Sequence, residues 1–280
     1  MVLYTVKKAL NNNVLIASDD EGQEVVLIGK GIGFNRKKND TITEDAIEKL
    51  FVLRNEREQA NYIKLLPQVD EAVLKTIIES INIIQARSNT PLHEKVHVAL
   101  TDHTAFAITR LLKGMAIKNP FLKETKALYP AEYEIAADVV DYINQSLQVE
   151  LPEGEIGFIA LHIHSAITDK AIADLNKYSQ LVTKLINVIE DQLEIQIDRE
   201  SIHYLRLVRH LRYTIERITN NEFIEEPEKI ANLLKTEYPV CYNLAWKLIK
   251  IMQQTLNTSV YDGEVVYLTM HLQRLNNKID

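Results

Sequence analysis

The sequence predicts a multidomain chain: a small antiparallel β-sheet followed by two all-α helical bundles, one a duplicate of the other. Three observations carry this prediction. The N-terminal stretch holds short apolar runs separated by turn residues. The remainder shows apolar residues at helical spacing. The helical part also aligns with itself at an offset of 107 residues, from His103 to His210, a period that means a duplicated domain and not a short-repeat solenoid. The expected domains are 1–60, 61–171 and 172–280.

Residues Leu3 to Leu10, Val14 to Ala17, Glu24 to Ile28 and Lys49 to Leu53 read as strands, being short and rich in Val, Ile, Leu and aromatics. Asn11-Asn12-Asn13, Asp19-Asp20-Glu21-Gly22 and Gly29, Gly31 and Gly33 punctuate them. Three glycines within five residues imply unusual dihedrals or a close approach of the backbone to a partner. So small a sheet has little core of its own, and dimerisation would help it. From about Asn55 the pattern turns helical. Val69, Val73, Leu74, Ile77, Ile78 and Ile81 open the first bundle, and Leu181, Leu185, Ile186 and Ile189 the second. Pro91, Pro120, Pro130, Pro152, Pro227 and Pro239 fall at predicted helix starts or loops. Glu153-Gly154-Glu155 and Asp262-Gly263-Glu264 place acid at the start of the last helix of each copy, where the helix dipole favours it. Thr168-Asp169-Lys170 is the expected hinge between the bundles.

The repeat is specific. Leu100, His103, Phe106 and Arg110 meet Leu207, His210, Tyr213 and Arg217. Tyr129-Pro130 meets Tyr238-Pro239, and Gly154-Glu155 through Leu161-His162 meets Gly263-Glu264 through Met270-His271. Each copy therefore carries two histidines at matching places. One such histidine reads most simply as a partly buried, hydrogen-bonded packing residue. Four at equivalent places point to a shared use, because imidazole fills a core less well than Leu or Phe.

A neutral imidazole nitrogen is a nucleophile that can take a phosphoryl group. The added charge, roughly −1.5 to −2 by analogy with the hydroxyl residues, can order or break a helix-packed or subunit contact. Arg206, Arg209 and Arg212 flank His210 and could receive that charge, or could simply line a solvated helix face. Asp102 beside His103 could orient the ring or repel the phosphate.

His93-Glu94-Lys95-Val96-His97 spells the zincin motif, with its histidines spaced for one helical turn. The second copy keeps neither histidine, and no third ligand announces itself, so no metal site is expected. His162-Ile163-His164 is a weak metal signal for the same reason, since His164 becomes Gln273 in the other copy. His203 reads as a surface or packing residue.

Composition sets bounds. A 280-residue chain with 46% hydrophobic and 25% charged residues is ordinary for a soluble globular protein. A net charge of −7 argues against coating nucleic acid by bulk charge, although a local basic surface remains open. The single Cys241 allows no intrachain disulfide and suits a reducing compartment. The N-terminus lacks a signal-peptide pattern and no apolar run could span a bilayer, so a cytoplasmic protein is expected. No cofactor is expected. Near the glycines, Lys7-Lys8, Asn11-Asn12-Asn13, Lys30, Phe34 and Arg36-Lys37-Lys38 gather cations, amides and an aromatic. Such groups can bond base edges and phosphates and stack on an unpaired base, or they can be the polar turns of an ordinary hairpin.

Together these residues resemble the BglG/SacY family of bacterial transcriptional antiterminators over the whole chain, nearest to members that govern glucose phosphotransferase operons. Leu10-Asn11-Asn12-Asn13-Val14 and Gly29-Lys30-Gly31-Ile32-Gly33-Phe34 look like the family's RNA-binding domain. Leu100-Thr101-Asp102-His103 and Gly154-Glu155-Ile156-Gly157-Phe158-Ile159-Ala160-Leu161-His162 look like its phosphotransferase regulation domains. The resemblance implies a dimeric sheet that binds a leader RNA hairpin overlapping a terminator, with RNA contacts at Lys8, Asn13, Gly29, Lys30 and Phe34. It implies phosphorylation at His103, His162, His210 and His271. A glucose-type sugar permease would phosphorylate the first regulation domain when glucose is absent and thereby inactivate the protein, and HPr could serve the second. It implies a regulator and not an enzyme. A phosphohistidine relay that passes its phosphate onward is the alternative, though no acceptor site or nucleotide loop is evident, and a metal hydrolase comes third.

Overall fold

The computed structural model describes residues 3–47, 49–51, 56–115, 118–220, 222, 228–259 and 261–277. Five strands open the chain: β1 (Leu3–Asn11), β2 (Val14–Ser18), β3 (Glu24–Ile28), β4 (Thr41–Thr43) and β5 (Lys49–Phe51). They form one antiparallel sheet in the order β4-β1-β2-β3-β5. The sequence reading had missed β4, which is too short to display alternation, yet its central Ile42 is buried. The end of the predicted last strand, Val52 and Leu53, lies outside the described residues. In β1 the partners run Val6 to Ala17 and then Lys8 to Ile16, so Lys7 sits in a bulge. The bulge breaks the in–out alternation and leaves both Lys7 and Lys8 exposed.

Both faces of the sheet are covered. On one, Tyr4, Val6, Leu15, Ala17, Val25 and Leu27 pack under Ile32 and Ile42. On the other, Val14, Val26 and Ile28 pack against Tyr62, Leu66, Leu74 and Ile78 from the segment that follows. Each such aliphatic side chain, fully buried, contributes roughly 1.5–3 kcal/mol. The sheet therefore gains much of its core from the first helices.

Those helices are α1 (Glu56–Leu65), α2 (Glu71–Arg87), α3 (Lys95–Leu112), α4 (Leu122–Leu128), α5 (Pro130–Leu147) and α6 (Gly154–Thr168). The second series is α7 (Ile172–Leu193), α8 (Ile202–Asn220), α9 (Glu228–Glu237), α10 (Pro239–Leu256) and α11 (Gly263–Asn276). Asp70 caps α2 by accepting from the amides of Ala72 and Val73. Pro130 and Pro239 occupy the first residue of their helices, where a missing N–H costs nothing. Pro227 lies outside the described residues. Asp169, Glu194 and Asn257 close α6, α7 and α10 in left-handed conformations. Among the described residues no helix is long and apolar enough to cross a membrane.

The chain divides into two units. One comprises residues 1–117 and 135–169, with the sheet, the α2–α3 hairpin and α6 packed on α3. The other comprises residues 118–134 and 170–280, where α7 packs on α8 and α10, and α11 packs on α8 and α10. The boundary after Asp169 falls within the segment read as a hinge. The helix α4 belongs to the second unit, although the repeat pairs it with α9. It packs on α7 and α8, burying Glu124, Thr125 and Leu128. Arg212 donates to the Leu128 carbonyl at 2.7 Å, and Tyr204 donates its hydroxyl to Glu124 at 3.4 Å. α9 packs on its own α10 and α11 through Ala231 and Leu234.

Candidate functional sites: paired histidines and a glycine loop

Long apolar helices bring distant residues together in each unit. His103 on α3 and His162 on α6 lie with ring centroids 4.7 Å apart. His210 on α8 and His271 on α11 lie 4.8 Å apart. In both places a buried glutamate from the first turn of the last helix stands beside the first ring, bonded to it directly in the first unit and through Thr214 in the second. His103 Nε2 is 2.9 Å from Glu155 Oε2, with side-chain exposures of 17% and 3%. Arg110 donates to the other oxygen of Glu155 at 3.2 Å. In the second unit His210 Nε2 lies 3.4 Å from the Thr214 hydroxyl oxygen and 3.6 Å from Glu264 Oε2, the latter beyond hydrogen-bond distance. The Thr214 hydroxyl donates to that same oxygen at 2.8 Å, and Arg217 Nε donates to Oε1 at 2.8 Å. A carboxylate taken out of water needs such charged and hydrogen-bonded partners.

Burial holds several of these rings neutral. It lowers His162 to about 3, assisted by the neighbouring His103. It lowers His210 to about 3, with further contributions from His271 and Arg217. His271 is also lowered, first by burial and then by Arg274 and Arg206. A neutral ring keeps one nitrogen lone pair, so these sites offer nucleophiles at neutral pH.

Sequence reasoning found the four histidines but missed the glutamates as their partners. It read Glu155 and Glu264 as acids placed to suit the helix dipole, when both are buried against histidine and arginine. The signal was available: Arg110 and Arg217, like Glu155 and Glu264, match across the repeat. Of the arginines expected around His210, Arg212 binds Glu216 and the Leu128 carbonyl, while Arg206 and Arg209 are exposed, Arg206 acting on the paired His271. Asp102 is exposed, and the carboxylate beside His103 is that of Glu155.

The zincin-like pentapeptide does not form one helical face. α3 begins at Lys95, so His93 precedes it, with its amide bonded to the Ala166 carbonyl and its ring facing Asp169 at 3.7 Å. Burial lowers His97 to about 4. Among the described residues no group of three His, Cys, Asp or Glu side chains is placed to hold a metal ion.

The third site is the loop after β3, folded down on the β1–β2 turn. Gly29 N–H donates to the Asn13 carbonyl at 3.0 Å, and Gly33 N–H to the Asn12 carbonyl at 2.8 Å. The Asn13 side chain accepts from Gly31 N–H at 2.5 Å and donates to Glu71 at the start of α2. Gly31 has φ +68°, which only glycine adopts cheaply. Gly33 is required by space, since a Cβ there would stand 2.1 Å from the Asn11 carbonyl oxygen. This brace presents Phe34, 62% exposed, and Lys30, also exposed. Asn13, Gly29, Lys30 and Phe34 thus share one hairpin end, and Lys8 lies exposed on β1 before the turn. Asn13, Gly29 and Lys30 also line a cavity of about 500 Å³ with Asp70, Glu71 and Lys75 of the first unit. Lys7 is bonded to Glu24 at 3.1 Å.

Residues 4–60 match the CAT RNA-binding domain family, and residues 78–166 and 183–275 each match the PRD domain family. The chain is 55% identical over 276 residues to the PtsGHI operon antiterminator of Bacillus subtilis, covering 99% of this chain and 98% of the relative. It is 43% identical to the GlcA/glcB genes antiterminator of Staphylococcus carnosus, covering 98% and 96%. A crystal structure of GlcT CAT-PRDI, 55% identical, matches with a TM-score of 0.55 and covers 59% of this chain and 99% of its own.

Proposed function

The chain belongs to the family of transcriptional antiterminators that join a CAT RNA-binding domain to two PRD domains, and from that membership we propose how its own residues divide the task. It is an antiterminator of a glucose-type phosphotransferase operon. It binds an RNA hairpin in the leader transcript, under control of histidine phosphorylation by the sugar-transport system. In our reading the domains are residues 1–60, 61–171 and 172–280. Lys8 and Lys30 meet phosphates, Phe34 stacks on a base, and Asn13 and Gly29, bonded to each other, hold that RNA-facing end in shape.

His103, His162, His210 and His271 are the phosphoryl acceptors. A sugar permease acts as donor to the first pair, and HPr to the second. The protein works as a cytoplasmic homodimer and takes up phosphate as a signal, without enzymatic turnover.

The observation that carries this reading is the recurrence of one constellation, two histidines with a buried glutamate and an arginine, in both regulatory repeats of a chain whose N-terminal loop is braced to expose Phe34 and Lys30. The test is a gel shift of the full chain with a leader-RNA hairpin at stated salt, against a scrambled hairpin, for wild type and Phe34→Ala. Selective binding that weakens about tenfold or more in the variant supports the assignment, since base stacking on an aromatic is worth about 1–3 kcal/mol. Equal affinity of the variant would remove Phe34 from the RNA surface.

A further inference from the structure

From the bonding of the His103 and His210 rings we infer that Nδ1 is the phosphoryl-accepting atom of each, and that Glu155 and Glu264 are positioning residues that make it so. The inference rests on the reading of these histidines as phosphorylation sites. The geometry narrows the choice of atom. Nε2 of His103 faces the buried carboxylate at 2.9 Å; Nε2 of His210 is 3.4 Å from the oxygen of Thr214, whose single proton goes to Glu264 and which therefore accepts from the ring. Each carboxylate is ion-paired with an arginine, Arg110 or Arg217, and acts as an acceptor only. A neutral imidazole beside such an acceptor keeps its proton on Nε2, which leaves the lone pair on Nδ1.

His162 contrasts with this, because its Nδ1 is sealed from solvent without a hydrogen-bond partner. Within the first pair, His103 therefore offers the open nucleophile. In the transfer step the Nδ1 lone pair attacks phosphorus on the phosphorylated side chain of the donor protein. The bond from phosphorus to the donor atom breaks, and its electron pair returns to that atom. The ring emerges phosphorylated on Nδ1 and protonated on Nε2, and its positive charge lies against the Glu155 or Glu264 carboxylate. In the second unit the Thr214 hydroxyl stands between the ring and Glu264, 3.4 Å from Nε2 and 2.8 Å from the carboxylate, so the restraint on His210 is the looser of the two.

The test uses the full chain labelled with 15N-histidine. Long-range 1H–15N spectra first read the tautomers without any donor. The protein is then treated with potassium phosphoramidate, a small N–P donor, and 31P and 15N spectra assign the phosphorylated nitrogen. The expected result is the Nε2–H tautomer at His103, favoured roughly tenfold or more by its charge-assisted hydrogen bond, and phosphate on Nδ1. In Glu155→Gln the amide can donate or accept, so the tautomer ratio at His103 should fall to within about threefold of even while His210 stays as in wild type. A purely structural role for Glu155 would not move that ratio. An Nδ1–H tautomer or phosphate on Nε2 in wild type overturns the inference. If no phosphohistidine forms, the phosphorylation reading itself is undercut, and the tautomer measurement still decides whether the glutamates set the ring.

Discussion

A methyl group on Gly33 has nowhere to go. In Gly33→Ala the new Cβ would stand 2.1 Å from the Asn11 carbonyl oxygen and 3.3 Å from the carbonyl carbons of Asn11 and Asn12. The obstacle is backbone, so no rotamer change relieves it, and the loop must lift by about 1 Å to restore ordinary contact. Lifting it strains or breaks the Gly33 N–H bond to Asn12, and with it the pairing of Gly29 and Gly31 to Asn13. Overpacking of this kind costs about 1–3 kcal/mol, and each lost hydrogen bond adds about 1 kcal/mol. The loss falls on the brace that aims Phe34 and Lys30, so affinity for the leader hairpin should drop at least tenfold. The helical circular dichroism of the bundles should hardly change. Gly31→Ala is the contrast: nothing crowds its Cβ and only the φ of +68° is strained, about 1–2 kcal/mol, so its effect should be the smaller. Gel shifts and urea melts on both variants decide the matter. Wild-type affinity in Gly33→Ala would refute the account of the brace.

Further expectations concern the bundles. His162, His210 and His97 have folded-state values below the ordinary 6.5, so below that pH the unfolded chain binds protons that the folded chain does not. Stability should be flat above pH 7 and fall as pH drops from about 6.5 toward 3, each histidine costing about 2 kcal/mol by pH 5. Urea midpoints that agree at pH 7 and pH 5 would sink this expectation. In the second unit, Arg199 pairs with Glu190 at 2.7 Å and lies 3.9 Å from the buried Glu124. Arg199→Met leaves the buried Glu124 with the Tyr204 hydroxyl beside it and should destabilise the chain by about 2–4 kcal/mol at pH 7. A thermal melt indistinguishable from wild type would argue against it. Phosphorylation at His103 should shift the dimer population; a near-complete switch needs roughly 5.5 kcal/mol between states, and identical sedimentation before and after would remove the dimer switch.

What the sequence revealed was what lies close together along the chain or recurs across it. The strands of the N-terminal sheet show as short apolar runs between turn residues, the glycines mark the loop, and the repeat singles out four histidines. What it hid was pairing over distance. Glu155 reaches His103 across 52 residues, and nothing local separates a buried ligand of an imidazole from an acid that merely suits a helix start. The HExxH pentapeptide, set aside for want of a third ligand, shows the converse limit of local spacing. A five-residue spacing is meaningful only on a helix, and α3 starts two residues after His93. β4 escaped because three residues show no period, and the place of α4 had no local sign at all.

That place has a practical consequence. A fragment ending near residue 171 would carry α4 without α7 and α8, exposing a buried glutamate and Leu128 to water. A fragment beginning at residue 172 would leave bare the groove that α4 fills and take from Arg199, Tyr204 and Arg212 the partners that α4 supplies. The two repeats are ancestral copies, but they are no longer interchangeable parts. The first has lent a helix to the second, and the chain passes between the units at residues 117–118, 134–135 and 169–170. The borrowed helix is therefore the piece to keep with a C-terminal fragment.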